Sequence, residues 1–167
     1  MAAMLKFYLC STALGWVGLA VSMRGLRATT LPRSSRDEAL REVIAMGAAE
    51  PASDADIGRL PGLIQALARG QRADGDTAID WDGLSPFRRA VLEETMRIPA
   101  GETRSYGWLA RQVGHPRAAR AVGRVMATNP LPLVVPCHRV LAANGSLGGY
   151  GGGLPLKKAL LRAEGAR

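Results

Sequence analysis

Proline and glycine cut the second half of this 167-residue chain into short pieces. Pro86, Pro99, Gly101, Gly114, Pro116, Pro130, Pro132, Pro136 and Pro155 are spread across it, and five glycines surround Tyr150 between Gly148 and Gly153. Proline inside a helix removes a hydrogen bond, and it biases the preceding residue toward extended backbone. Only short helices joined by turns fit this punctuation. Ser85 and Pro86 open the first, with serine as the cap and proline at the first helical position. Phe87, Ala90, Val91 and Glu94 continue it at helical spacing, and it stops before Pro99. Pro99-Ala100-Gly101 is a turn. Ser105 caps a helix over Tyr106–Gln112 that ends at Gly114, and Pro116 starts another that runs to about Thr128. Two short helices joined by a glycine-containing turn make a helix-turn-helix candidate.

At about 100° per residue, Ala118, Ala121, Val122, Val125 and Met126 share one arc of the second of these helices. Arg117, Arg120 and Arg124 share another, and Gly123, off both arcs, allows a ligand or backbone to approach closely. No acid lies between Glu102 and Glu164 to neutralise the arginines. Charge is uneven along the whole chain. The net charge is +8, but residues 1–86 hold 9 Lys+Arg against 10 Asp+Glu, and residues 87–167 hold 13 against 4. The second half therefore carries a positive field that attracts polyanions. Nucleic acid is the natural partner, because phosphate contacts dominate such binding and three arginines on one helix face suit them. Membrane lipid fits less well, as no helix carries a dense lysine face; a basic surface kept for solubility is the plain alternative.

The first half reads as a small α+β unit. Phe7-Tyr8-Leu9-Cys10 and Trp16 to Val21 are two strands with a turn at Thr12–Gly15, and Arg24-Gly25-Leu26 turns into a third. The uncharged stretch from Phe7 to Met23 also resembles a signal peptide, but it is too short to span a membrane and Ser11, Thr12, Gly15 and Gly18 interrupt it. Ser35 to Ala48 is a helix with Asp37 and Glu38 in its first turn. Leu60 to Arg69 is a second helix. Gly70 to Gly83 is an aspartate-bearing surface linker, and the acids of this half form a solvated surface. Only two cysteines occur, Cys10 and Cys137, far apart and without a CxxC pair, so no zinc ribbon is expected and a reducing cytoplasm suits the chain.

Beyond Asn129-Pro130-Leu131-Pro132, which breaks the helix, Leu133-Val134-Val135 reads as a short buried strand leading into Pro136-Cys137-His138-Arg139-Val140. A cysteine beside a histidine is a candidate activated thiol, since the thiolate is the nucleophile and a base favours it. A buried structural cysteine next to an unrelated histidine is the alternative. Asn144-Gly145 is a turn. The glycine run around Tyr150 folds over a pocket and offers backbone N–H groups to a flat ligand. Pro155 opens an amphipathic helix that Gly165 ends. Glu164 sits in its last turn, where the helix dipole disfavours an acid, so a partner such as histidine is expected to hold it.

These motifs together resemble the O6-alkylguanine-DNA alkyltransferases, also called methylated-DNA–protein-cysteine methyltransferases. The resemblance rests on Pro136 to Val140, Arg120-Ala121-Val122-Gly123, Asn129-Pro130, Gly149-Tyr150, Lys157 to Glu164, Ile98 to Gly101 and Ser105-Tyr106-Gly107, and it covers nearly all of residues 84–165. Gly15 to Gly18 and Arg24 to Leu26 resemble bacterial members, which disfavours the signal-peptide reading; residues 34–80 match loosely. The resemblance implies an α+β protein. A small ribonuclease-H-like N-terminal α/β unit (1–80) would precede a helical DNA-binding and alkyl-acceptor domain with a helix-turn-helix (84–167).

It also implies a single-use reaction. Cys137 would take the alkyl group from O6 of guanine, or O4 of thymine, in double-stranded DNA after base flipping. His138 would remove the thiol proton through a water, Glu164 would orient His138, and Tyr106 would donate toward the ring nitrogen of the base. Arg120 would fill the vacated place in the stack. Arg117, Arg124, Ala119 and Gly123 would complete a minor-groove surface, where small residues let a helix approach. Met126, Asn129, Pro132, Val140, Tyr150 and Gly151 would form the substrate pocket, Asn129 by holding the turn before the cysteine. Several members have serine where this chain has Gly151, and some carry a zinc site for which this chain lacks the ligands. No cofactor, metal or membrane is expected, and the protein is expected to be a cytoplasmic monomer. Two other functions fit parts of the pattern: a non-catalytic lesion-binding or transcription-regulating helix-turn-helix protein, against which Cys137 speaks, and a thiol hydrolase of small molecules, against which the arginine stripe speaks.

Overall fold

In the computed structural model, which describes residues 3–72 and 77–166, the chain divides between Asp82 and Gly83 into two compact units. In the first, strands β1 (Leu5–Thr12) and β2 (Gly15–Ser22) pair as an antiparallel hairpin, and β3 (Gly25–Thr29) pairs antiparallel to β2. Helix α1 (Arg36–Ala45) starts where Ser35 accepts a hydrogen bond from the Glu38 N–H. It ends earlier than the sequence reading has it. The backbone turns at Gly47, with φ +102°, and Ala48 begins β4 (Ala48–Pro51), which runs parallel to β1 and completes the order β3-β2-β1-β4. Ala20, Val43 and Ala48 form a buried cluster under Leu5, Phe7, Leu9 and Ala28. Gly18 admits this packing: a Cβ there would come within 3.0 Å of the Ala39 carbonyl and Val43.

Two short helices follow, α2 (Asp54–Ile57) and α3 (Leu60–Ala68). The first escapes a search for apolar periodicity because it is a single turn stabilised by the Ser53–Asp56 capping box. Part of the expected linker, residues 73–76, lies outside the described residues. The rest of it corrects the reading. Ile79 bridges to Leu26, and the Asp80 side chain is buried, accepting hydrogen bonds from Ser22 (2.6 Å), Arg27 (3.3 Å) and the Asp82 N–H (3.0 Å). Burial works against its charge, but these donors hold its carboxyl below the usual range. Asp80 is thus a packed polar anchor rather than a solvated acid.

The second unit opens with α4 (Pro86–Met96), capped by Ser85. A two-residue strand β5 (Arg104–Ser105) leads into α5 (Tyr106–Gln112), capped by Ser105 and terminated near Gly114, where φ is +81°. Helix α6 spans Ala119–Ala127, not 116–128: Pro116 and Arg117 lie in the preceding turn, and no side chain caps the helix. Its core arc is Val122, Val125 and Met126, with Ala118 and Ala121 only half-buried.

Leu133-Val134-Val135 is not a strand. Leu133 and Val134 form a tight turn closed by a Pro132–Val135 bridge, with Leu133 at φ +74°. A one-turn 3-10 helix (Cys137–Arg139), strand β6 (Val140–Leu141) parallel to β5, and α7 (Leu154–Ala163) complete the unit. Among the described residues no helix is long and apolar enough to cross a membrane.

Candidate active site

The backbone before Cys137 is fixed by one side chain. Asn129 accepts from the Leu131 N–H (2.9 Å) and donates to the Val135 carbonyl (3.0 Å), tying both ends of the turn. Pro136, at φ −78° and ψ 65°, then makes an inverse γ-turn in which the Cys137 N–H donates to the Val135 carbonyl at 2.7 Å. This rigid entry, absorbing the unusual Leu133 conformation, replaces the strand expected from three consecutive apolar residues.

Behind the cysteine lies a buried acid–base array. His138 is 2% exposed, and its Nε2 lies 2.7 Å from Oε1 of Glu164. Arg139 grips the same carboxylate with two nitrogens, at 2.7 and 3.0 Å, and donates to the Ile98 carbonyl at 2.6 Å. Burial alone would raise the Glu164 pKa. The hydrogen bonds and charges of His138 and Arg139 overcome it and hold the acid at about 2. An ionised carboxylate only accepts, so the hydrogen of the His138–Glu164 bond sits on His138 Nε2. The sequence reading expected a partner for Glu164 against the helix dipole; it missed Arg139, whose side chain a charge count assigns to the surface.

Lys157 was missed in the same way. It is fully buried, and its Nζ donates to the carbonyls of Val140 (2.8 Å), Leu147 and Gly149 (3.4 Å). It thereby pins both ends of the segment that returns from β6 to the glycine run. Burial lowers its pKa, and the neighbouring Cys137 works the other way. The thiol of Cys137, 7% exposed, is raised by burial, while Asn129 and the Lys157 charge pull it back down.

A cavity of about 300 Å³ opens at Cys137. Tyr106 of α5, Gly123, Met126 and Ala127 of α6, and Gly149, Tyr150 and Gly151 of the glycine run line it. Of the expected pocket residues, Met126, Tyr150 and Gly151 are in this wall. Asn129, Pro132 and Val140 are not: Asn129 and Pro132 build the turn behind it, and the Val140 carbonyl is taken by Lys157. Gly123 belongs to the cavity rather than to the arginine face. On α6 the cavity arc lies between the core arc and the arc of Arg120 and Arg124, which are exposed, as is Arg117; Ala119 is half-buried. Burial, then the nearby Cys137, push the Tyr106 hydroxyl pKa up. His115 is exposed and meets Phe87 edge-on at 5.5 Å. A larger cleft of about 780 Å³ in the first unit is lined by Asp56, Arg59 and Arg72 among others, with no cysteine or histidine.

The family model for the 6-O-methylguanine DNA methyltransferase DNA-binding domain matches residues 86–166. The crystal structure of the Mycobacterium tuberculosis O6-methylguanine methyltransferase superposes with a TM-score of 0.78 at 35% identity, covering 97% of this chain and 93% of that one. The chain belongs to the O6-methylguanine-DNA methyltransferase family. A second M. tuberculosis structure, of OGT in complex with DNA, matches with a TM-score of 0.78 at 34% identity over 96% of this chain and 92% of that one. The methylated-DNA–protein-cysteine methyltransferase of Mycobacterium bovis is 46% identical over 104 residues; the match spans 62% of this chain and 62% of that protein's length. The methyltransferase-family model runs from the first residue of α4 to just past Glu164, and so includes every side chain assembled around the cavity.

Proposed function

We propose that this protein repairs alkylated DNA by moving an alkyl group from O6 of guanine to Cys137, once per molecule, with O4 of thymine as a second acceptable source. The observation that carries this reading is Cys137 on the wall of a base-sized cavity, with the His138–Glu164 pair behind it and the α6 arginines beside it. His138 takes the thiol proton at Nδ1. The thiolate sulfur forms a bond to the alkyl carbon as the carbon–O6 bond breaks, and the electron pair goes to the purine. Tyr106, kept neutral by its raised pKa, donates toward the ring nitrogen as that charge develops. The stable thioether leaves no route back to the free thiol, so the protein is consumed.

DNA is held by α5 and α6 acting as a helix-turn-helix, with Arg117, Arg120 and Arg124 on phosphate and groove. The damaged base swings out of the stack into the cavity, and Arg120 takes its place. Gly123 and Ala127 leave the α6 backbone close to that base, and the glycine run supplies backbone groups for its edge. The sheet order β3-β2-β1-β4 with α1 against it supports a ribonuclease-H-like reading of the first unit.

The test is a titration. Duplex DNA carrying one O6-methylguanine is incubated with increasing protein, and restored guanine is counted. The expected plateau is one repair per protein molecule for the wild type and none for Cys137→Ser, which retains binding. Repeated turnover, or repair by the serine variant, contradicts the proposal.

A further inference from the structure

The second unit holds another cavity, of about 280 Å³, that shares a chain segment with the reactive one. Leu147 lines it, and Gly149, two residues on, lines the other. The turn between β6 and Leu147 is closed on itself. The Ala142 N–H donates to the Ser146 carbonyl (3.1 Å), the Gly145 N–H to the Ala142 carbonyl (2.9 Å) and the Ser146 N–H to Asn144 (3.0 Å). Lys157 ties both flanks of this turn to α7 through the carbonyls of Val140 and Leu147. A turn held in this way keeps its shape instead of collapsing onto α7, and the cavity stays open. Leu141 and Leu147 line it from the turn, Leu161 from α7 and Thr103 from just before β5. Protein interiors are close-packed, and apolar side chains around a gap forfeit contacts.

The charge at the cavity is one-sided. Lys158 and Arg162 of α7 complete the lining, both exposed and one helical turn apart, and no acid joins them. Like charges at that spacing disfavour a helix. The acids nearest in sequence are engaged elsewhere: Glu102 with Arg104 at 3.5 Å, and Glu164 with His138 and Arg139.

We infer that this cavity binds a small organic acid, with its apolar body against the three leucines and its carboxylate between Lys158 and Arg162. Each half of such a ligand has its own task. Both cations are exposed, so water screens them and a bare anion gains little. Apolar burial supplies the affinity, and the charges decide which end of the ligand faces outward. Small-molecule sites have this make-up: pre-formed, mostly apolar, with a few polar groups that fix orientation. The phosphates of DNA bring no apolar body, which separates this site from the arginine face of α6. The two cavities share one anchor, because the Lys157 ammonium that holds the Leu147 carbonyl also holds that of Gly149 at 3.4 Å.

Octanoate tests the inference on the full chain, labelled at its leucine methyl groups and followed by NMR. Saturable shifts are expected at Leu141, Leu147 and Leu161. Hexanoate is expected to bind roughly 15-fold more weakly, about fourfold for each buried methylene lost. Inorganic phosphate is expected to leave those methyl groups unmoved. The double variant Lys158→Glu/Arg162→Glu alters only exposed side chains. It is expected to weaken octanoate roughly fivefold or more and to prefer octylammonium, reversing the order of the wild type. No saturable shift at the three leucines, the same shifts from phosphate, or an unchanged octanoate affinity in the charge-reversed variant overturns the inference. None of these readouts involves alkyl transfer, so the site stands or falls apart from the proposed function.

Discussion

Cys10 and Cys137 are both free, buried thiols, 2% and 7% exposed, yet they sit in opposite kinds of structure. Cys10 lies in β1, paired with Val17 across a regular ladder, with its sulfur near the carbonyls of Pro61 (3.7 Å) and Ser11 (3.8 Å). Burial raises its pKa and no charge offsets that. Burial raises the Cys137 pKa too, but there the Asn129 amide, the buried Lys157 and the backbone N–H groups of Cys137 and His138 work against it, and the sulfur opens onto a cavity. Burial by itself makes a thiol inert. At Cys137 the regular ladder gives way to a turn tied by side chains, so that the thiol meets Asn129, Lys157 and an open cavity instead of a strand neighbour.

The largest effect that would sharpen this contrast is loss of the base. His138→Gln is expected to slow methyl transfer by roughly 10²–10⁴-fold, the usual worth of general-base catalysis, with lesion binding measured by anisotropy unchanged. Next comes the carboxylate's other partner. Arg139→Met leaves Glu164 buried against His138 alone, and breaking such a pair costs about 3–5 kcal/mol; urea unfolding of the second unit is expected to record it. An unchanged midpoint would mean that the Arg139–Glu164 contact does not support the site.

Asn129→Ala removes both ties across the 131–135 turn and is expected to cost about 1–3 kcal/mol, together with slower transfer, since Cys137 loses its fixed approach. The acid side of the stability curve gives a further check. Glu164 has a folded pKa of about 2, below its ordinary value of 4.5. Its contribution is complete above the unfolded pKa and is lost as pH falls from about 4.5 toward 2. Glu164→Gln is expected to remove that part of the acid-induced loss. The smallest effect belongs to the other thiol. Cys10→Ala is expected to cost about 1 kcal/mol in stability and to leave the transfer rate as it is; a slowed rate would erase the distinction between the two cysteines.

The regular parts of the molecule were legible in the sequence because local chemistry decides them. Ser35, Ser85 and Ser105 each cap the helix that the pattern places after them, and the β1–β2 hairpin follows from apolar strands around a turn. Around the site local chemistry misleads. Leu133-Val134-Val135 has strand composition, but the flanking prolines and Asn129 bend it into a turn. Pro116 suits a helix start, yet α6 begins three residues later at Ala119. Arg139, Lys157 and Asp80 look like surface charges because the groups that satisfy them, at Ile98, at Val140 and Leu147, and at Ser22 and Arg27, are distant in sequence. Cys137, His138 and Glu164 each carried a local signal, a cysteine beside a histidine and an acid set against a helix dipole, and the family pattern joined them; Gly123 was marked for close approach off both arcs of its helix, whereas Ala127, which also lines the cavity, carries no signal of its own.

The two thiols also supply the most direct measurement, since each serves as the other's control. After reaction with duplex DNA carrying O6-methylguanine, peptide mass spectrometry is expected to find one methyl group on the peptide containing Cys137 and none on the peptide containing Cys10. A methyl group on Cys10, or none on either peptide once the DNA has been restored, would contradict a reaction centred on Cys137.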